Sequence, residues 1–356
     1  MSVSTPLLVL VLPVFLAIPA PAEADPPVPA AVVTTLRTGS GQIRQLAFDG
    51  DGDTFFASAE NARAADHFTL VFDRPVAVKS IAVLTGRPDG QHGLGAARLE
   101  VAEDGKTFAE LARFAGGKAR ADANGKRVQA VRIQPEGDLE HVLVVRELAI
   151  EAEPPVAVFK YPIEIEVDVS DAPEMKEWAD NVARICERSY PMINEELWSE
   201  GFKPRQRISM VLRKDYNGVA QTGGGRITGS VKFFKEHPDD VGAMVHETIH
   251  NVQAYQRRVP GWLTEGVCDY IRFFKFEPGK LRPPRRDRAR YNGSYKVTAQ
   301  FLAFVCDRHG QDFVRKLNAI LRKEGYREEL WKELTGKTVQ ELEADWKATL
   351  VRRARI

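Results

Sequence analysis

Residues 246–250 read His-Glu-Thr-Ile-His, and no other string places so many demands on the fold around it. Four residues of α-helix advance about 400° and rise about 6 Å, so His246 and His250 stand one above the other on a single face. Two imidazoles so placed can both reach one zinc ion, at about 2.0–2.1 Å each. Glu247 follows the first of them, where its carboxylate can reach a water on the metal without itself coordinating. Zinc draws that water's pKa toward about 7, and the carboxylate takes its proton as hydroxide attacks a carbonyl. The bland alternative is a surface helix with two solvated histidines. The zinc reading needs a further ligand, and therefore a fold that brings a second element against this helix.

A core large enough for that is available. The chain has 356 residues, 44% of them hydrophobic and 28% charged, which suits two domains and excludes wholesale disorder. Fifty basic residues against 49 acidic leave a net charge of +1, so no global electrostatic case for nucleic acid exists. Cys186, Cys268 and Cys306 allow one bridge at most, which rules out a disulfide scaffold. The start of the chain differs from the rest. Leu7 to Ile18 is apolar apart from Pro13, and Ala22-Glu23-Ala24 offers a small-x-small cleavage site. About 12 apolar residues fall short of the roughly 20 that cross a bilayer. Residues 1–24 therefore read as a cleavable secretory signal peptide, and the expected location is secreted or periplasmic. No other stretch is long and apolar enough to span a membrane, so stable membrane insertion is not expected.

Residues 25–31 read as a stiff proline-rich linker. From residue 32 to 152, short extended runs alternate with turns: His67–Phe72, Val76–Leu84, Ala97–Val101, Val128–Ile133 and Val142–Ile150. Turn residues fall between them at Asp89-Gly90, Asp104-Gly105 and Asn124-Gly125. That spacing predicts an antiparallel β-sandwich. Residues 153–157, opening Glu153-Pro154-Pro155, form a second linker, and 158–356 read as an α+β domain. There, Ile163–Val169, Ile208–Leu212 and Thr228–Phe234 are predicted strands. Trp178, Val182, Ile185 and Tyr190 give residues 174–197 a helical period. Pro238-Asp239-Asp240 opens the helix that carries the two histidines. Arg226–Phe234 is expected at the sheet edge above the metal, either receiving an extended peptide through main-chain hydrogen bonds or binding nothing.

Downstream of His250 stands Trp262-Leu263-Thr264-Glu265-Gly266. Here the chain resembles the zinc peptidases whose third ligand is a glutamate on a second helix, written W-L-x-E-G in several branches. The resemblance implies Glu265 as third ligand, with a fourth position open for water. It also implies that Asp269, one turn on, accepts a hydrogen bond from a ligand histidine and fixes its tautomer. A closer resemblance covers residues 158–350. Its strings are SDAPEMKEWAD (170–180), VHETIHNVQ (245–253), WLTEGVCDYIR (262–272), YKVTAQFLAFV (295–305) and LTGKTVQELEADWKATL (334–350). They are similar to the basic secretory protein family, metallopeptidases of plants and bacteria. Cys268 stands where that family usually has alanine; it reads as a small buried packing residue, the other reading being a thiol that competes for metal. In the helical gluzincins of the aminopeptidase type a tyrosine opens a later helix and stabilises the tetrahedral oxyanion, a role the resemblance gives to Tyr295. A tyrosine wedged between helices with its hydroxyl bonded to backbone is the alternative. Lys280–Arg290 carries six basic residues against one acid and reads as a solvated loop with room for a role in selecting acidic substrates.

The front half resembles discoidin-type, galactose-binding-like sandwiches through LAFDGDGDTFFAS (46–58), FTLVFDRPVAVKSIAVLTG (68–86) and VRELAIEA (145–152). That resemblance implies a glycan ligand or a bracing role. It also implies a structural Ca2+ near the acidic turn, at Asp49, Asp51 and Thr54, unless the turn is a plain surface loop. An EF-hand frame fits less well, because Thr54 stands where the sharp turn needs glycine even though Glu60 is twelfth. The expectation is thus a secreted, multidomain protein: a galactose-binding-like β-sandwich, then an α+β zincin-like metallopeptidase acting on a peptide or protein substrate with Zn2+. The competing expectation is a non-catalytic glycan- or cell-wall-binding protein with a retained zinc site.

Overall fold

The computed structural model describes residues 25–350, so the signal peptide read over 1–24 lies outside the described residues. Seven strands make the first half: β1 (Ala30–Thr34), β2 (Phe56–Asn61), β3 (Phe68–Thr85), β4 (Ala97–Ala102), β5 (Ala109–Arg113), β6 (Lys118–Pro135) and β7 (Val142–Glu153). β3 and β6 are each 18 residues long and shift register twice where they pair with one another. The first half of β3 pairs with β1 and with the end of β6, which continues to β4 and then β5. Its second half pairs with β7, which carries β2. The two long strands are therefore shared between two antiparallel layers, the predicted sandwich. Phe68, Leu70, Phe72 and Ile81 of β3 meet Val131, Ile133, Leu143 and Val145 in the buried space between.

Asn124-Gly125, expected as a turn between strands, lies inside β6. Both residues have positive φ, 50° and 77°, and they form a bulge between the paired positions Asp122 and Lys126. The left-handed preference of Asn-Gly serves a hairpin turn or a bulge equally well, and the long partner strand decides between them. The segment 25–31 enters the core earlier than its prolines suggest, since Val28 bridges Val156 and β1 begins at Ala30.

The second half opens with β8 (Glu164–Asp168) and α1 (Lys176–Glu196), followed by β9 (Arg207–Arg213), β10 (Ala220–Gly223) and β11 (Arg226–Ser230). Helices follow: α2 (Val231–Glu236), α3 (Gly242–Gln253), α4 (Gly261–Ile271), α5 (Tyr295–His309), α6 (Phe313–Glu324), α7 (Leu330–Thr335) and α8 (Val339–Thr349). The sheet order is β10-β11-β9-β8, with β10 alone antiparallel to its neighbour. This corrects one expectation. The edge is β10, and Arg226–Ser230 lies one strand inward. Ala-Gln-Thr-Gly has no alternating apolar signal because a short edge strand buries little. Beyond Ser230 the expected strand becomes α2, since the Ser230 hydroxyl accepts from the Phe233 amide and caps a helix there.

The halves meet across buried charge. Arg44, in a short 3-10 turn of the sandwich (Arg44–Phe48), reaches Glu164 of β8 at 3.0 Å and also pairs with Glu187 of α1. Glu187 additionally accepts from Arg184 at 2.9 Å and from the Ile165 amide at 2.7 Å. Arg44, Glu164 and Glu187 are all buried.

Candidate metal centre

Met244, Val245, Ile249 and Val252 bury the inner face of α3 against the domain core. The opposite face turns His246, Glu247 and His250 into a cleft of about 840 Å³, which α4 closes with Glu265 and Asp269. Gly266 sets how closely α4 can approach α5, because a Cβ there would lie 2.2 Å from the Thr298 methyl. A larger residue would push α4, and Glu265 with it, out of place. At its far end α4 passes into a π-helical turn, Arg272–Phe276.

The two imidazoles lie with ring centres 5.0 Å apart and planes at 74°. His246 Nδ1 is 2.8 Å from Asp269 Oδ1. An ionised carboxylate only accepts, so Nδ1 carries the proton. His250 Nδ1 is 2.9 Å from Gln253 Oε1, and Gln253 Nε2 donates to the Thr264 carbonyl at 2.8 Å. That second bond fixes which way the amide points, and the oxygen it leaves for His250 again requires a protonated Nδ1. Both Nε2 atoms thus turn toward Glu265, whose Oε2 is 3.0 Å from one and 3.4 Å from the other. Donors about 2.0–2.1 Å from a tetrahedral ion stand roughly 3.3–3.4 Å from one another. Two imidazole nitrogens each held near that spacing from one carboxylate oxygen suit a cation between them.

Electrostatics agree with the geometry. Burial alone would lower the pKa of His246, yet the Asp269 and Glu265 carboxylates outweigh it and raise it to about 9. Burial would raise Glu265, and hydrogen bonds from the two histidines bring it down to about 2.

Cys268 also lies close, and His246, His250 and Cys268 each offer a ligand atom within 4.8 Å of the others. The Cys268 sulfur contacts His250 at Nδ1, 3.4 Å away, the nitrogen that already serves Gln253. Burial, and then the charges of Glu265, Glu247 and Asp269, hold its thiol well above the ordinary range. The thiol lies behind the His250 ring, on its Nδ1 side, whereas Glu265 faces both Nε2 atoms.

Glu247 lines the same cleft, and its backbone carbonyl accepts from Thr222 of β10 at 2.9 Å, tying the sheet edge to the metal helix. Tyr295 opens α5, lines the cleft and is 52% exposed; its hydroxyl makes no hydrogen bond among the described residues. Gln253 was not singled out from sequence. Its only signal is a position one turn beyond His250.

In the sandwich, the Thr54 hydroxyl lies 3.0–3.1 Å from both Asp49 carboxylate oxygens and from the carbonyls of Asp51 and Leu46. The Asp51 carboxylate instead accepts from the Asp53 amide at 3.0 Å. Glu147 of β7, which the sequence did not flag, completes this oxygen-rich corner. Burial, with the nearby charges of Asp49 and Asp51, raises its pKa to about 7. Glu60 pairs with Arg37, which takes it away from the EF-hand frame.

No curated protein matches the chain. Among solved structures it is similar to CBM32-1 of a family 31 glycoside hydrolase from Clostridium perfringens: 18% identity, 34% of this chain and 92% of that one, TM-score 0.30. It is also similar to a Streptococcus pneumoniae fucose binding module, SpX-3 (11% identity, 34% and 92% covered, TM-score 0.30). A third is the family 32 module of Clostridium perfringens NanJ, solved with galactose (14% identity, 34% and 92% covered, TM-score 0.29). The family model described as peptidase of plants and bacteria matches residues 160–346, more than half of the chain and the whole of the cleft's lining. The protein belongs to that family of peptidases.

Proposed function

We propose that this chain is an exported, zinc-dependent metallopeptidase. The observation that carries the reading is the convergence of two Nε2 atoms and one Glu265 oxygen at 3.0 and 3.4 Å, each imidazole oriented from behind by its own acceptor. His246, His250 and Glu265 would hold the ion. When bound, zinc in such a set acidifies a water and polarises a carbonyl. Asp269 and Gln253 keep the histidines in the tautomer that presents Nε2. The Glu247 carboxylate accepts the attacking water's proton and later returns it to the departing amine. Tyr295 donates its hydroxyl proton toward the carbonyl oxygen as negative charge gathers there. The exposed edge of β10 offers main-chain hydrogen bonds to an extended substrate. Export rests on the apolar stretch and cleavage site over residues 1–24.

The test is casein hydrolysis with and without chelator, with metal content measured alongside. Wild type should cleave and chelation should stop it. Glu247→Gln should keep one zinc and lose about 10²–10⁴-fold in rate. If neither protein cleaves while both hold zinc, the non-catalytic binding reading replaces this one.

The acidic corner of the sandwich supports a second assignment, a structural Ca2+ held by Asp49, Thr54, Glu147 and the Leu46 and Asp51 carbonyls. Hard oxygen donors of this mix suit calcium. Glycan binding by the sandwich is favoured by the stacked His92 and His141 rings, 5.0 Å apart, and by Arg87 over Phe55. A glycan array with the full chain checks it, and binding unchanged in His92→Ala would remove it.

A further inference from the structure

Once the metal residues are set aside, the charges lining the cleft are few. Asp240 is neutralised by Arg272, which is also held by Glu277 at 2.6 Å. Glu247, Glu265 and Asp269 belong to the metal centre. Arg205 and Lys296 remain, both exposed and neither in an ion pair among the described residues.

These two cations stand at opposite ends of the cleft. α3 is 12 residues, about 18 Å, and lies along it. The β10–β11 hairpin runs beside α3. Gly229, paired with Ala220, faces Met244, while Thr222 reaches Glu247, so the turn at Gly223–Gly225 lies toward the His250 end. Arg205 packs against that turn: a Cβ on Gly225 would be 3.2 Å from its guanidinium. Lys296 lies at the other end, its ammonium 5.3 Å over the Phe273 ring, in a side groove that also carries Glu236, Asp239, Asp240, Arg272 and Lys280, the last held by Glu277 at 2.7 Å. Lys280 opens the arginine-rich loop, which therefore begins where this groove leaves the cleft.

We infer that the cleft selects acidic peptides, those carrying carboxylates on both sides of the bond to be cut. This rests on the peptidase reading and specifies its substrate. An extended peptide advances about 3.3 Å per residue, so a bond beside Glu247 leaves roughly two or three residues between it and each cation. Arg205 meets a carboxylate on one side and Lys296 on the other, the loop adding positive potential beyond Lys296. A terminal carboxylate could satisfy either cation as well as a side chain could.

The test uses quenched fluorescent peptides that share one central sequence and carry Glu, Ala or Lys three residues to either side. Each is made with a free or an amidated C-terminus. Exposed pairs of this kind each give about two- to fivefold. Glu on both sides should therefore exceed Ala by about tenfold in kcat/KM, Ala should exceed Lys, and the spread should shrink in high salt. Arg205→Glu and Lys296→Glu should each reverse the preference on its own side only, and together reverse it on both. A preference that amidation removes assigns the carboxylate to the chain end. Binding of the same peptides to Glu247→Gln, followed by anisotropy, reads selection without turnover. Neutral peptides cut as fast as acidic ones, or bound as tightly, would overturn the inference and leave the peptidase reading standing. Acidic peptides bound but never cut would overturn the peptidase reading and keep the selection.

Discussion

Two of the buried clusters of ionisable groups among the described residues are built on opposite plans. Between the domains, Arg44 and Arg184 face Glu164 and Glu187, so positive and negative charge balance within the cluster. In the cleft, Glu247, Glu265 and Asp269 surround two histidines, and no arginine or lysine pairs with these carboxylates among the described residues. Removing charge from water is tolerated where the partner is also protein, and the interdomain cluster meets that condition. The cleft cluster is acceptor-rich with its imidazoles turned inward, a composition that suits a cation from outside. Buried charge that brings its own counter-ion fastens structure, while buried charge that lacks one makes a site.

The sharpest way to break this contrast is to change the donor that faces both Nε2 atoms. Glu265→Gln should weaken zinc binding by roughly 10³-fold, as expected for one of three or four ligands, and take proteolysis to background. Cys268→Ala should leave zinc stoichiometry and rate close to wild type. The opposite result, zinc lost with the thiol and kept without the carboxylate, would move the third ligand to Cys268.

Next in size is the balanced cluster. Arg44→Ala leaves Glu164 without its guanidinium partner and Glu187 with Arg184 alone, and should cost about 3–5 kcal/mol in denaturant unfolding. The loss should be the same with chelator present, since no cation from outside takes part. A peptidase half expressed without the sandwich should show the same weakness. A chelator-dependent loss in Arg44→Ala would erase the distinction between the two plans.

How much of this was legible in sequence follows the reach of each signal. The histidine pair and Glu247 are local, and helix geometry alone converts their spacing into a shared face. Glu265 and Asp269 needed a resemblance, because nothing in one helix announces which other helix will meet it. Arg44 could not be found at all. Its partners lie 120 and 143 residues away, and one arginine among apolar neighbours reads as an exposed charge. The β10 edge was missed because Ala-Gln-Thr-Gly carries no alternation, and Glu147 because it sits in a strand read only for its apolar face.

Gln253 sharpens the cleft side of the comparison. It orients His250 as Asp269 orients His246, with a neutral acceptor in place of a charged one. Gln253→Ala should weaken zinc binding by about 10–100-fold, read by competition with a chelator. Gln253→Glu should restore much of it, since a carboxylate can accept from Nδ1. If both variants bind zinc like wild type, His250 is held by packing alone.

The smallest effect belongs to the sandwich's acidic corner, which follows the cation-lacking plan on a more exposed site. The folded pKa of Glu147 is about 7 against an ordinary 4.5, because burial and then the Asp49 charge oppose ionisation. A carboxyl raised on folding contributes most below pH 4.5, and that contribution is lost as pH climbs through about 7. Above that window Glu147 is ionised beside Asp49 and Asp51, and a bound calcium would offset their repulsion. Calcium at ten times its Kd should add about 1.4 kcal/mol, a rise in Tm of roughly 2–4 °C. The rise should be present at pH 8 and small at pH 5, where protons occupy the corner instead. Glu147→Gln should flatten both the pH slope and the calcium response. If calcium stabilises that variant as much as wild type, the ion binds elsewhere and the corner is only an acidic turn.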